Sequence, residues 1–152
     1  MTGLSDQNAV VSCLFCQVVA GAAPAHRVLD EVGAVAFLDV RPLFPGHCLL
    51  VPREHHETLG DLPEPLVGEL FATARRLALA VEKAMDAEGS FVAMNNKVSQ
   101  RVPHLHVHVV PRRRKAGLRG FFWPRSRYAD DAEAEAVAER VRTALARPFG
   151  DA

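Results

Sequence analysis

Val102-Pro103-His104-Leu105-His106-Val107-His108-Val109-Val110-Pro111 is the stretch that decides the fold, because three histidines two apart alternate with Leu105, Val107 and Val109. Successive side chains of a β-strand point to opposite faces. The spacing therefore predicts a strand over residues 105–110, with the imidazoles on one face and an apolar core face on the other. Histidines in a run that is otherwise Val and Leu lower β-propensity and bring polar atoms into burial without a packing return, so the histidine face is read as chemical. Metal ligation is one reading, since imidazole is the commonest protein ligand and two histidines two apart can grip one ion. All three cannot do so easily. At roughly 3.4 Å per residue the outer pair would sit about 13 Å apart, whereas donors lie about 2.1 Å from a bound ion.

Outward from this run, residues 95–103 form a polar turn preceded by a strand over 91–94. Further upstream, Leu66, Leu70, Ala74, Leu77, Val81 and Met85 recur at helical spacing from Glu64 onward, with Pro65 in the tolerated first turn and Gly89 as the expected C-cap. Residues 27–30, 34–39 and 47–51 read as strands, separated by Gly33 and by the Pro-rich loop 41–46. A short helix is expected from a Ser12 cap to Gly21. Downstream, Ala134, Val137, Val141 and Leu145 predict a last helix starting near Asp130. Consecutive strands with short connections imply an antiparallel sheet of about five strands. The expected fold class is α+β, with one long helix and a C-terminal helix packed on one side of the sheet.

The chain has 152 residues, 49% of them apolar, which suits one domain able to bury a real core. We expect a flexible tail over residues 1–11 and a single domain over 12–148. No apolar run approaches the roughly 20 residues of a membrane span and the amino terminus lacks a signal-peptide pattern, so a cytoplasmic protein with no membrane partner is expected. Net charge is zero, yet Lys97, Arg101, Arg112, Arg113, Arg114, Lys115, Arg119, Arg125 and Arg127 fall in a stretch without Asp or Glu. Either this is a solvated loop, or it is a basic rim for a phosphate-bearing ligand. A nucleic-acid partner is not expected, because the stretch is short and the remainder of the chain is correspondingly acidic.

Four separate segments in order resemble the histidine-triad (HIT) superfamily of nucleotide hydrolases and transferases. They are Cys13-Leu-Phe-Cys16 through Gly21, Ala36-Phe-Leu-Asp39-Val-Arg-Pro42, Pro45-Gly-His47 through His55, and Asn95 with Gln100 and Val102 leading into the triad. The resemblance covers about residues 13–115. It implies that His106 is the nucleophile attacking the α-phosphorus of a nucleotidyl compound, such as an adenosine phosphoramidate or a dinucleoside polyphosphate. One imidazole nitrogen would attack while the other donates to a carbonyl. His108 and His47 would lie near the phosphate or leaving group, and Asp39 would hold the ribose hydroxyls. Phe37, Leu38 and Val40 would supply an apolar slot for the base, and Asn95 and Gln100 a polar loop for phosphate and leaving group.

The segment between Asn95 and the triad is about two residues shorter than in better-known branches. It lacks their glycine, and Arg101 stands where Ser or Thr is usual. A nucleotide-binding module with little turnover would share the same binding residues. A metal-dependent oxygenase is disfavoured by the lack of the extra acid and distant histidine such sites add.

Cys13-x-x-Cys16 is by itself open between zinc, redox chemistry and adventitious thiols, although no strand precedes it as in thioredoxin-like motifs. The resemblance to zinc-containing members implies a structural Zn2+ held by Cys13, Cys16, His55 and His104. It also implies a homodimer, with the long helix from Glu64 and the adjoining sheet edge as interface. Phe121-Phe122-Trp123 follows neither helical nor strand periodicity and is read as a core cover or an interface.

Overall fold

The computed structural model describes residues 12–116 and 125–147. The tail over 1–11, the three aromatics 121–123 and the expected domain end at 148 lie outside the described residues. Five strands form the sheet: β1 (Arg27–Asp30), β2 (Ala34–Leu38), β3 (Cys48–Pro52), β4 (Gly89–Ala93) and β5 (Val107–Arg112). Their order is β1-β2-β3-β5-β4, with every neighbouring pair antiparallel. Helix α1 (Leu14–Ala20) precedes the sheet, α2 (Glu64–Ala84) links β3 to β4, and α3 (Asp131–Leu145) follows β5. The class is α+β, as the sequence predicts.

Alternation sorts the side chains into two cores. Ala36, Leu38, Cys48, Leu50, Val107 and Val109 face α2 and α3, where they meet Leu70, Leu77, Val81, Val137 and Val141. Val35, Phe37, Leu49 and Val51 point the other way and pack with Cys13, Phe15, Cys16 and Val18. All residues of β2 and β3 are buried, which is why these strands read as unbroken apolar runs. The long and C-terminal helices pack on one side of the sheet, as expected, while the short α1 covers the opposite face, on which the histidines lie.

Element boundaries also differ from expectation, three of them for identifiable reasons. The Cys13 sulfur, not Ser12, caps α1 by accepting from the Cys16 N–H, and Gly21 ends the helix at φ 77°. Helix α2 stops at Met85, before Gly89, since Asp86 takes the left-handed turn at φ 50° and Gly89 opens β4. The triad strand begins at Val107 because its partner β3 ends at Pro52, which has no N–H to donate. His104 and His106 thus precede the ladder while remaining on its histidine face.

Candidate active site

Phe15 from α1 meets Phe37 of β2 edge-on at 5.4 Å and His106 edge-on at 5.1 Å. The aromatic wall and the triad therefore share one cleft of about 530 Å³, whose lining includes Val18, Pro24, Asp39, Val40, Leu49, His106 and His108. That volume is in the range of small-molecule sites. The sequence-predicted slot is present in part: Phe37 and Val40 border the cleft, while Leu38 borders it yet packs in the core beneath the helices.

His106 is buried and its Nδ1–H donates to the His104 carbonyl at 2.7 Å. That bond leaves the Nε2 lone pair available for attack. Burial lowers the pKa of His106, partly offset by the carbonyl bond and by Asp39, so the ring is held neutral. The next two imidazoles form a chain whose tautomers follow from its first donor. The Leu43 N–H donates to His47 Nδ1 at 3.1 Å. His47 Nε2 must then carry the proton, and it donates to His108 Nδ1 at 2.9 Å. His108 in turn keeps its proton on Nε2. Burial pushes His47 down to about 3 and His108 down to about 4, with neighbouring imidazoles and Arg125 adding to the shift against the pull of Asp39.

Asp39 follows β2 and is almost fully buried. Its Oδ1 accepts from the Arg41 N–H at 2.8 Å and its Oδ2 from Arg125 Nη1 at 2.9 Å, with His47 Nε2 3.7 Å away. The carboxylate is thus oriented by backbone and guanidinium, with lone pairs to spare for further donors. Asn95 borders the cleft and donates to the Ser99 carbonyl. Gln100 is not brought to it: its amide accepts from the Lys97 N–H and donates to the Glu57 carbonyl, stapling the loop to the segment after β3. Ser99 and Arg101 of the same loop border the cleft instead.

On the far side of His104, Cys13, Cys16, His55 and His104 bring their ligand atoms within 4.8 Å of one another. The Cys13 and Cys16 sulfurs lie 3.5 and 3.4 Å from His104 Nδ1, and Cys16 lies 3.2 Å from His55 Nδ1. An ion about 2.3 Å from sulfur and about 2.1 Å from nitrogen separates such ligands by roughly 3.5 Å in a tetrahedron, so the four residues fit zinc. His104 Nε2 donates to the Pro52 carbonyl at 3.0 Å, turning Nδ1 toward the sulfurs. Burial and the neighbouring Cys13 push the Cys16 thiol up to about 12 in the absence of a cation. Two adjacent buried thiolates need a positive charge between them.

Phe15 and Arg125 belong to the cleft although sequence reasoning did not assign them to it. Phe15 sits between the two cysteines and was hidden by their motif. Arg125 had only its place in a basic stretch to mark it.

The chain matches the HIT domain over residues 20–115. An uncharacterized HIT-like protein of Mycobacterium tuberculosis is 34% identical over 140 residues, covering 89% of this chain and 94% of that protein. The adenosine 5'-monophosphoramidase of Saccharomyces cerevisiae is 34% identical over 110 residues, 70% of this chain and 67% of that protein. Among solved structures, a zinc-bound histidine triad family protein from Mycobacterium smegmatis has a TM-score of 0.79 at 36% identity, covering 90% of this chain and 95% of that one.

Proposed function

The chain belongs to the HIT domain family, and from that premise we propose that it is a hydrolase or transferase acting at the α-phosphorus of nucleotidyl compounds, either adenosine phosphoramidates or dinucleoside polyphosphates. The observation that carries this reading is the bond from His106 Nδ1 to the His104 carbonyl, which aims a neutral nucleophilic nitrogen into a cleft of nucleotide size. In this mechanism the base enters the slot between Phe15, Val18 and Phe37, and Asp39 accepts from the ribose hydroxyls. His106 Nε2 then forms a bond to phosphorus as the bond to the leaving group breaks, an amine leaving with a proton taken from solvent and a phosphate leaving as its anion. The positive charge that develops on the ring is stabilised through Nδ1–H by the His104 carbonyl. His108, with its proton on Nε2, stabilises the charge on the nonbridging oxygens, an effect worth most in a buried site. Water or another acceptor then attacks the phosphorus of the nucleotidyl-histidine, forming the new P–O bond and losing its proton to solvent as the P–N bond breaks and neutral His106 is restored.

Cys13, Cys16, His55 and His104 would hold Zn2+, which supplies a structural cross-link and no step of the reaction. That link would seat α1, and with it Phe15, against the triad run. A homodimer, a cytoplasmic location and the absence of a nucleic-acid partner complete the proposal. No described helix is long and apolar enough to cross a membrane.

The test is a turnover screen of adenosine phosphoramidates and dinucleoside polyphosphates with the native chain and His106→Asn. The variant should keep its fold and lose activity by a factor on the order of 10^4 or more, and a rapid quench of the native enzyme should trap nucleotide on His106. Near-normal turnover in the variant would refute the mechanism. Binding without turnover in the native chain would favour a nucleotide-binding module.

A further inference from the structure

Arg125 is the one described residue whose side chain both borders the cleft and makes an ion pair with Asp39. Its Nη1 also donates to the Arg41 carbonyl at 2.9 Å, so a single nitrogen bridges the carboxylate and the loop that carries it. The neighbours of Arg125 are tied to the same loop. Ser126 donates to the Pro42 carbonyl through its N–H at 2.8 Å and its hydroxyl at 2.7 Å, and the Gly46 N–H donates to the Tyr128 hydroxyl at 3.1 Å. The guanidinium is therefore delivered to Asp39 by a built contact between residues 125–128 and residues 39–46.

Charge gives that contact a meaning beyond packing. Asp39 is the only carboxylate among the described residues of the cleft, which His106 and His108 also line. Arg41 and Arg101 border the cleft as well, but among the described residues that line it only Arg125 makes an ion pair with Asp39. A carboxylate left bare in this desolvated cleft would repel a nucleotide phosphate while attracting its ribose.

Building on the nucleotide reading above, we propose that Arg125 is a positioning residue of the nucleotide site, fixing the Asp39 carboxylate and cancelling its charge so that a ribose and an anionic phosphate can bind side by side. The Asp39 lone pairs not used by Arg41 and Arg125 remain for the ribose hydroxyls. Arg125 thereby separates two demands that conflict at one carboxylate, hydrogen bonding to sugar and tolerance of phosphate.

The experiment measures dissociation constants of AMP and of adenosine for the native chain, Arg125→Ala, Arg125→Lys, Asp39→Asn and the double variant Asp39→Asn with Arg125→Ala. Charge cancellation predicts that Arg125→Ala weakens AMP by tenfold or more and adenosine by threefold or less. Arg125→Lys should recover most of the AMP affinity. In the Asp39→Asn background, where there is no carboxylate to cancel, Arg125→Ala should change AMP binding by less than threefold. Equal weakening of both ligands, no recovery with lysine, or an undiminished AMP loss in the Asp39→Asn background would each overturn the proposal. If Arg125→Ala does not fold, Arg125→Lys and the double variant still decide it. A native chain that binds neither AMP nor adenosine would instead overturn the nucleotide reading on which this one rests.

Discussion

His47 and His108 are buried, hydrogen-bonded to each other, and held neutral because desolvation opposes their charged forms. Their pKa values, about 3 and about 4, lie below the 6.5 of a free histidine. The unfolded chain therefore binds more protons than the folded one once the pH drops below about 6.5. Stability present above that value is lost as the pH falls toward the folded values. Chemical denaturation between pH 6.5 and 5 should show stability falling by more than about 1.4 kcal/mol per pH unit, the slope that one proton gives. A flat profile over that range would mean that the pair takes up protons equally in the folded and unfolded chain. At this scale the sequence marks the three histidines by their spacing, while the roles expected of His106, Asp39 and the two cysteines come from the family resemblance. The sequence says nothing of tautomers. These depend on which carbonyl or N–H comes to face each ring, such as the Leu43 N–H at His47.

The loop between β2 and β3 works because Gly46 takes φ 93°, a conformation glycine adopts freely and other residues adopt at a cost. A Cβ there would also stand 2.6 Å from Met85 Cγ and 3.3 Å from Pro111 Cγ. Gly46→Ala should therefore destabilise the fold by about 2 to 4 kcal/mol, through backbone strain plus overpacking. Thermal unfolding measures this, and a loss under about 0.5 kcal/mol would mean that the loop relaxes freely. The loop before the triad solves a similar problem without glycine: Lys97 and Ser99 both take positive φ, at 68° and 62°. Periodicity and turn residues located all five strands and the two longer helices, β1 at its expected bounds, while most other ends shifted. An end is set by partners, as Pro52 sets the start of β5, and by single residues such as Asp86 that accept a left-handed turn.

At the scale of the molecule, the four-residue cluster spans the chain from Cys13 to His104 and joins α1 to the triad run. The protein purified without chelators should carry one zinc per chain. Cys13→Ser should lower that content, and chelation should reduce the melting temperature because metal binding here is folding energy. Zinc well below one per chain would contradict the assignment. β4 is a sheet edge, and Val92 on it and Phe71 on α2 are exposed apolar side chains, 41% and 39% accessible. An edge of this kind favours pairing with a second copy. Solution mass at micromolar concentration should be that of a dimer, and Val92→Lys should shift it toward monomer. A monomeric native chain would exclude the interface.

The sequence by itself determined the class of fold and the two-faced triad strand, because alternation and helical spacing are local properties of the chain, and its resemblance to the HIT family marked His106 as the candidate nucleophile. Only the tertiary structure decided that α1 covers the histidine face, that Gln100 turns away to Glu57, and that Arg125 reaches Asp39. Those outcomes depend on which distant segments compete for the same buried polar groups, and no local pattern in the chain encodes that competition.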